Sequence, residues 1–394
     1  MAKLGMPSVN IAFTEAGIEA IERSQRGIVA LILEEPKATI DALMAGYTDT
    51  EGNEIAAVKN PLVIYTTDDI PEKLTDNNKD YIKKALLGYT KTPYRLKVYL
   101  QPTVTKAEGE TTDPNDSADK FADTLTTLAT DRWDYLAIPT ITDKQTESVG
   151  TWLKTNRENK GKRSKVVLPN YTGDYEGIIN FTNSKIVTAD REYTTAEYTA
   201  RIAGLIAGTP MTISATYAPL SEVIDCDKHT QDENDEKVNK GEFFIWYDGE
   251  KFKMSRAMNS LVTTTQGKLE AYQTIKSVDA MDMIYDDIKR TAEDSYIGKY
   301  TNDYDNKKLL ISAIYGYFRE LESARILQKG YSTVDINADA VMNYQLKHGL
   351  YTKDELAAMS TDEIKALDTK KQVFLSAKVK ILDAMEDITL DVAI

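Results

Sequence analysis

The chain has 394 residues, 42% of them hydrophobic, enough to bury more than one core and fill two or three domains. With 62 acidic against 48 basic residues the net charge is -14, which excludes general binding to nucleic acid or to an anionic membrane, since both require a basic face. A single cysteine, Cys226, leaves no disulfide within the chain and makes a reducing compartment the default.

At the N-terminus no apolar run reaches signal-peptide length, so no export signal is expected. Val9, Ile11 and Phe13 alternate with small or polar neighbours, the two-residue period of a short half-buried strand. "RGIVALILEE" (26–35) is a continuous apolar run bounded by charge, the pattern of a strand buried on both faces. "RLKVYL" (95–100), "YLAIP" (135–139), "KVVLP" (165–169) and "GIINF" (177–181) repeat that pattern. Helical stretches lie between them at 78–88, 117–131 and 146–161, the first and last stopping on Gly88 and Gly161. Strands alternating with helices predict an open α/β sheet layered between helices over about 22–185. Two polar inserts, 46–54 and 105–120, read as surface loops or hairpin tips.

The second half changes texture. Residues 194–210 predict a helix that opens on Thr194, with Glu197 three residues on, and stops at Gly208-Thr209-Pro210. Gly204 and Gly208 stand at G-x-x-x-G spacing, which in a chain of this composition points to tight packing in a core. The longest uncharged run, 202–221, carries Pro210 and Pro219 and predicts no membrane span. Residues 225–241 form a charged, turn-forming stretch. Cys226 and His229 stand there among aspartates and glutamates whose spacing matches no EF-hand, so the stretch reads as a solvated acidic loop rather than a metal site. Asp248-Gly249 separates two β-rich runs and predicts a hairpin. Long helices follow at 268–298 and 305–330, with a short one at 360–371, and Leu375, Ala377, Val379 and Ile381 alternate as in a strand. These elements make a helix-rich α+β unit over about 186–387. Finally Ile388, Leu390, Val392 and Ile394 alternate with polar or small residues and nothing follows them. Such a strand is either the edge of this chain's own C-terminal sheet or a partner for the sheet of another copy. The expected division is therefore an N-terminal arm (1–21), the α/β domain (22–185), the α+β core (186–387), and a C-terminal strand arm (388–394).

Catalytic material is sparse. The two histidines, His229 and His348, lie more than a hundred residues apart, and neither G-x-G-x-x-G, G-x-x-x-x-G-K-[ST] nor G-x-S-x-G occurs. No catalytic, cofactor or metal site is expected, and the 23 tyrosines read as core and interface packing. An acidic protein without a catalytic constellation, and with a strand at each end, suits an assembly subunit.

Particular strings sharpen this. "EGIINFTNSKIV" (176–187), "RIAGLIAGTPMTISATYAPLSEVID" (201–225), "VNKGEFFIWYDGEKFKMSRAMNSLVT" (238–263), "YIGKYTNDYDNKKLLISAI" (296–314) and "KVKILDAMEDI" (378–388) closely resemble the tail sheath proteins of contractile-tailed bacteriophages. The version they most resemble is that of phage-like elements and phage-tail-like bacteriocins of Gram-positive bacteria. "LGMPSVNIAFTEAGIEAIERSQRGIVALIL" (4–33) resembles the same family. The resemblance implies a non-enzymatic subunit that forms hexameric rings stacked helically around an inner tail tube protein. Its ends would exchange strands with neighbouring subunits, through Val9, Ile11 and Phe13 at one end and Ile388, Leu390, Val392 and Ile394 at the other. Baseplate and tail terminator proteins are the further implied partners; nucleic acid and membrane are not. The implied location is a virion tail or phage-tail-like particle, assembled in the bacterial cytoplasm and released by lysis. A different structural subunit of such a particle is the alternative.

Overall fold

A computed structural model describes residues 20–49, 51–104 and 117–392. It divides into two compact units. Of the described residues, one unit comprises Arg23–Asp286 with 381–392, and the other comprises Asp287–Lys380 with 20–22.

The first unit is built on a seven-stranded sheet. In chain order it contains β1 (Ile28–Glu35), α1 (Lys37–Ala45), the short pair β2 (Tyr47–Thr48) and β3 (Glu54–Ile55), β4 (Leu62–Ile64), α2 (Asp76–Leu86), β5 (Arg95–Pro102) and α3 (Ala122–Leu128). Then come β6 (Tyr135–Ala137), α4 (Asp143–Lys160), β7 (Lys165–Pro169) and β8 (Ile178–Phe181). They are followed by β9 (Ile186–Thr188), β10 (Glu192–Tyr193), α5 (Thr195–Ala207), β11 (Val223–Cys226), α6 (Gln231–Asn239), β12 (Glu242–Phe243) and the hairpin β13 (Ile245–Tyr247) and β14 (Phe252–Met254). The sheet order is β12-β8-β7-β6-β1-β5-β4, parallel except for β4, which runs antiparallel to β5 at one edge. A three-stranded antiparallel sheet, β10-β9-β11, lies beside it in the chain.

Alternation along β1 explains why the central strands are apolar throughout. Val29, Leu31 and Leu33 join the core formed with α1, α2 and α5, whereas Ile28, Ala30 and Ile32 join the core formed with α3 and α4. Helix α5 starts as its sequence predicts: Thr194 and Glu197 form a reciprocal capping box. Its glycines let it sit against α2. A Cβ on Gly204 would stand 2.0 Å from the Ala85 carbonyl oxygen, and one on Gly208 would stand 2.1 Å from that of Lys91.

The boundary expected at 185/186 falls inside this unit. Helix α5 contributes Ile202, Ala203, Leu205 and Ile206 to the core that holds Val29 and Leu31, and β12 extends the sheet by pairing Glu242 with Asn180 and Phe243 with Phe181. The charged stretch expected as a loop contains α6, which a Thr230–Glu233 capping box opens. Insert 46–54 is the tip of the β2–β3 hairpin, where the Asp49 carboxylate accepts bonds from the backbone of Glu51 and Asn53. Of the other insert, 105–116 lie outside the described residues.

Helix α7 (Ile275–Thr291) starts later than its periodicity predicts. The carbonyls of Tyr272 and Gln273 accept from the side-chain and main-chain nitrogens of Asn259, at 2.7 and 2.9 Å, and so are taken before a helix can use them. As far as Asp286, α7 belongs to the sheet-bearing unit.

The second unit contains α8 (Tyr304–Ser323), β15 (Thr333–Ile336), α9 (Ala338–Lys347), α10 (Lys353–Ala357), α11 (Thr361–Ala366) and β16 (Leu375–Lys378). Helix α8 ends short of the expected 330 because Arg325 adopts a left-handed φ of 58°. Ile311, Ile336, Val341 and Ile364 form its core, with Phe374 and Leu375 packed against them. Thr352–Glu355 and Ser360–Glu363 capping boxes open the two short helices. This is the α/β and helix-rich α+β combination that the sequence predicts, with α5 and β12 reassigned to the sheet.

Candidate assembly surfaces

The C-terminal segment divides at Asp387. Before it, the chain is pinned to the sheet-bearing unit. The Lys276 ammonium donates to the Leu382 carbonyl, and the Ser277 hydroxyl donates to Asp383 at 3.1 Å. The Thr216 hydroxyl donates to Glu386 at 2.7 Å while accepting the Ala257 N–H at 2.9 Å. Arg256 pairs with Asp387 and, at 3.5 Å, with Glu386. Burial pushes the Lys276 ammonium below its usual pKa, against the opposing pull of Asp383 and Glu386.

Beyond Asp387 this pinning stops. Ile388, Leu390 and Val392 are 82%, 79% and 71% exposed, and among the described residues no hydrogen bond engages 388–392. In an extended conformation alternate positions share one face, which would gather the three exposed side chains into an apolar stripe. Burying each would yield roughly 1.5–3 kcal/mol. Val9, Ile11, Phe13 and Ile394, predicted to act with them, lie outside the described residues.

The second unit presents an edge of the opposite charge. Strands β15 and β16 form a two-stranded antiparallel ribbon, Thr333 opposite Lys378 and Ile336 opposite Leu375. Ser376, Ala377 and Lys378 are exposed. Lys370, Lys371, Lys378 and Lys380 occupy a stretch free of acidic residues, whereas 383–392 carry Asp383, Glu386, Asp387 and Asp391 and no basic residue. The strand expected from the alternation of Leu375, Ala377, Val379 and Ile381 is realised over Leu375–Lys378, with one further bond from the Gln328 N–H to the Lys380 carbonyl at 2.8 Å. On the partner strand, Asp335 is held down to about 2 by Lys365 and Lys308.

A third feature lies beneath the sheet, where α7 meets it. Asp134 accepts the Gly27 and Ile28 N–H groups at 2.9 and 2.8 Å and the Arg26 guanidinium at 3.0 Å; Arg26 also reaches Asp286 at 2.7 Å and the Asp282 carbonyl at 2.9 Å. Arg157 grips Asp282 with two nitrogens, at 3.0 and 3.1 Å, and Lys165 lies 2.7 Å from Asp282 and 2.8 Å from Asp279. The Tyr135 hydroxyl donates to Asp279. Burial pushes the Asp282 carboxyl up, but Lys165 and Arg157 outweigh it and keep it charged below its usual range.

Cys226 is buried on β11 and its thiol is pushed up to about 12 by burial, which denies it nucleophilic character. Among the described residues no group of three or more His, Cys, Asp or Glu is placed to hold a metal ion, and no helix is long and apolar enough to cross a membrane.

Residues 115–260 match the family model for the phage tail sheath protein central domain, and 268–394 match that for the phage tail sheath C-terminal domain. The tail sheath protein of Clostridium phage phiCD119 is 34% identical over 388 residues, spanning 98% of this chain and 99% of that protein. The chain belongs to the phage tail sheath family. It is a structural sheath subunit and a component of a phage or phage-like particle. The sheath chain is also 31% identical over 175 residues to protein XkdK of the phage-like element PBSX of Bacillus subtilis, covering 43% of this chain and 37% of that one. Two solved sheath structures share its fold. The contracted helical sheath of the anti-feeding prophage matches with a TM-score of 0.64 at 14% identity over 99% of both chains. The sheath tail protein Lin1278 of Listeria innocua matches with a TM-score of 0.62 at 17% identity over 81% of this chain and 90% of that one.

Sequence reasoning missed the pinned root of the sheath's C-terminal segment. Its partners Lys276, Ser277, Thr216 and Arg256 are over a hundred residues away in the chain, and the only local signal is the acidic run 383–387, whose carboxylates Ser277, Thr216 and Arg256 engage while Lys276 takes the Leu382 carbonyl.

Proposed function

We propose that this sheath subunit polymerises by strand exchange, as stacked hexameric rings around an inner tail tube, and that contraction of the array drives the tube through a cell envelope. The observation that carries this reading is the exposed stripe of Ile388, Leu390 and Val392 beyond a firmly held root. An extended segment that satisfies its backbone on another copy's sheet edge gains ladder hydrogen bonds as well as burial. The fitting edge is β16 of a neighbouring copy: it is exposed and basic, and the incoming segment is acidic. Contacts of this head-to-tail kind do not close on themselves and therefore propagate a helical array.

The same reading makes Val9, Ile11 and Phe13 the complementary arm and assigns Ile394 to the C-terminal one. It makes the subunit non-enzymatic. Inner tube, baseplate and tail terminator proteins are its partners. Contractile sheath and baseplate assemblies among the fold's solved relatives support such partners. Assembly in the bacterial cytoplasm and release by lysis complete the proposal.

The test is direct. Purified full-length protein is expected to form tubes or rings in negative-stain micrographs, and a chain lacking 388–394 is expected to remain a folded monomer with an unchanged thermal transition. Loss of folding in the truncated chain would assign the segment to its own core and overturn strand exchange.

A further inference from the structure

The chain connects to the sheet-bearing unit at three places: it enters at Arg23, leaves after Asp286 and re-enters at Ile381. All three are tied to α7. Arg26, three residues past the first entry, binds Asp286 and the Asp282 carbonyl. Leu382 and Asp383, one and two residues past the re-entry, are held by Lys276 and Ser277. The exit is the helix itself. Lys276 and Asp286 are ten residues apart, about 15 Å along a helix.

The stretch of α7 between these attachments is fastened to the sheet from below. Asp279 and Asp282 receive Lys165 from β7, Arg157 from α4 and the Tyr135 hydroxyl from β6. Arg157, Lys165 and Asp282 are 2%, 1% and 3% exposed. Buried pairs of this kind hold one geometry, because displacing either partner leaves an uncompensated charge. The helix is therefore a rod with a bonded midpoint and a chain connection tied near each end.

We propose that α7 from Ile275 to Asp286 is a common anchor that mechanically couples the three chain connections of the sheet-bearing unit. Tension on the segment entering at Arg23 or on the one returning at Ile381 is delivered to this one helix and its ion cluster, and not to the edge strands β4 or β12. The N-terminal and C-terminal attachments consequently respond to each other.

Amide hydrogen exchange on the unassembled full chain tests this, and so separates it from polymerisation. The variant K276M/S277A removes the tail's attachment, and D286N weakens that of Arg26. Because coupling is reciprocal, K276M/S277A is expected to raise exchange about tenfold in 381–387 and severalfold in 24–28, with D286N doing the converse. Each rate is read relative to that of β7 in the same variant, which removes any general loss of stability. A far-end ratio equal to wild type in both variants would show independent attachments and overturn the proposal.

Discussion

Gly204 is the position where a single atom decides most. The Ala85 carbonyl oxygen occupies the space a Cβ would need, and backbone on both sides leaves no flexible tip to move aside. Gly204→Ala is expected to part α5 from α2 and to cost about 1–3 kcal/mol or more, measurable as a lower urea midpoint. Asp282→Asn acts by a different route, leaving Lys165 and Arg157 buried without their shared counter-charge. A loss of about 3–5 kcal/mol is expected in the same experiment. Glu322, in the second unit, predicts a pH dependence. The Gly330 N–H, then Ser332 and Arg319, hold its carboxylate down to about 2 from an ordinary 4.5. A depressed carboxylate stabilises the fold above its unfolded pKa, and the stabilisation fades as pH falls toward the folded value. Glu322→Gln is therefore expected to lower stability at pH 7, the gap to wild type closing between about pH 4.5 and 2; thermal unfolding across that range measures it.

Elements differed in how openly the chain announced them. Central strands such as β1 and β7 are buried on both faces, so they stand out as unbroken apolar runs between charges. Helix α5 was equally plain, because its start and stop are chemical: a capping box and a Gly-Thr-Pro. By contrast α6, "QDENDEKVN", has no buried residue and no apolar stripe, and the signal that organises it is the Thr230–Glu233 box. Thr230→Ala is expected to destabilise that helix by about 1 kcal/mol and to speed exchange of its first-turn amides, leaving β12 unaffected. The late start of α7 was invisible locally, since Asn259 takes the carbonyls that periodicity would have given to a helix. The domain boundary was hidden for a related reason. A change of texture near residue 185 marks where strand–helix alternation stops, but the sheet still needs a covering helix and an edge strand, and α5 and β12 supply them from further along.

At the scale of the whole molecule, charge is unevenly shared. Asp287–Lys380 hold 15 basic and 14 acidic residues, a net of +1, so the remainder carries -15, the acidic tail included. Opposite charges on β16 and on the tail segment predict salt-sensitive assembly. Lys378→Glu/Lys380→Glu is expected to slow polymer formation at low ionic strength, with the defect shrinking as salt rises and partly reversed by Asp391→Lys; sedimentation measures all three. Residues 388–392 form no strand within the chain itself, and only the period-two alternation of 388–394 was legible in sequence. The root that holds it was not, because its bonds come from helices and loops folded back from more than a hundred residues away.

That root also sets a length. Val392 lies five positions beyond Asp387, and an extended chain advances no more than about 3.3–3.6 Å per residue. Fully extended, the stretch to Val392 would reach at most about 17 Å from its fixed point. In the proposed strand exchange the arm acts as a leash: neighbouring copies can swing and slide while joined, and a rearrangement that carried the acceptor edge beyond the arm's reach from Asp387 would have to break the strand.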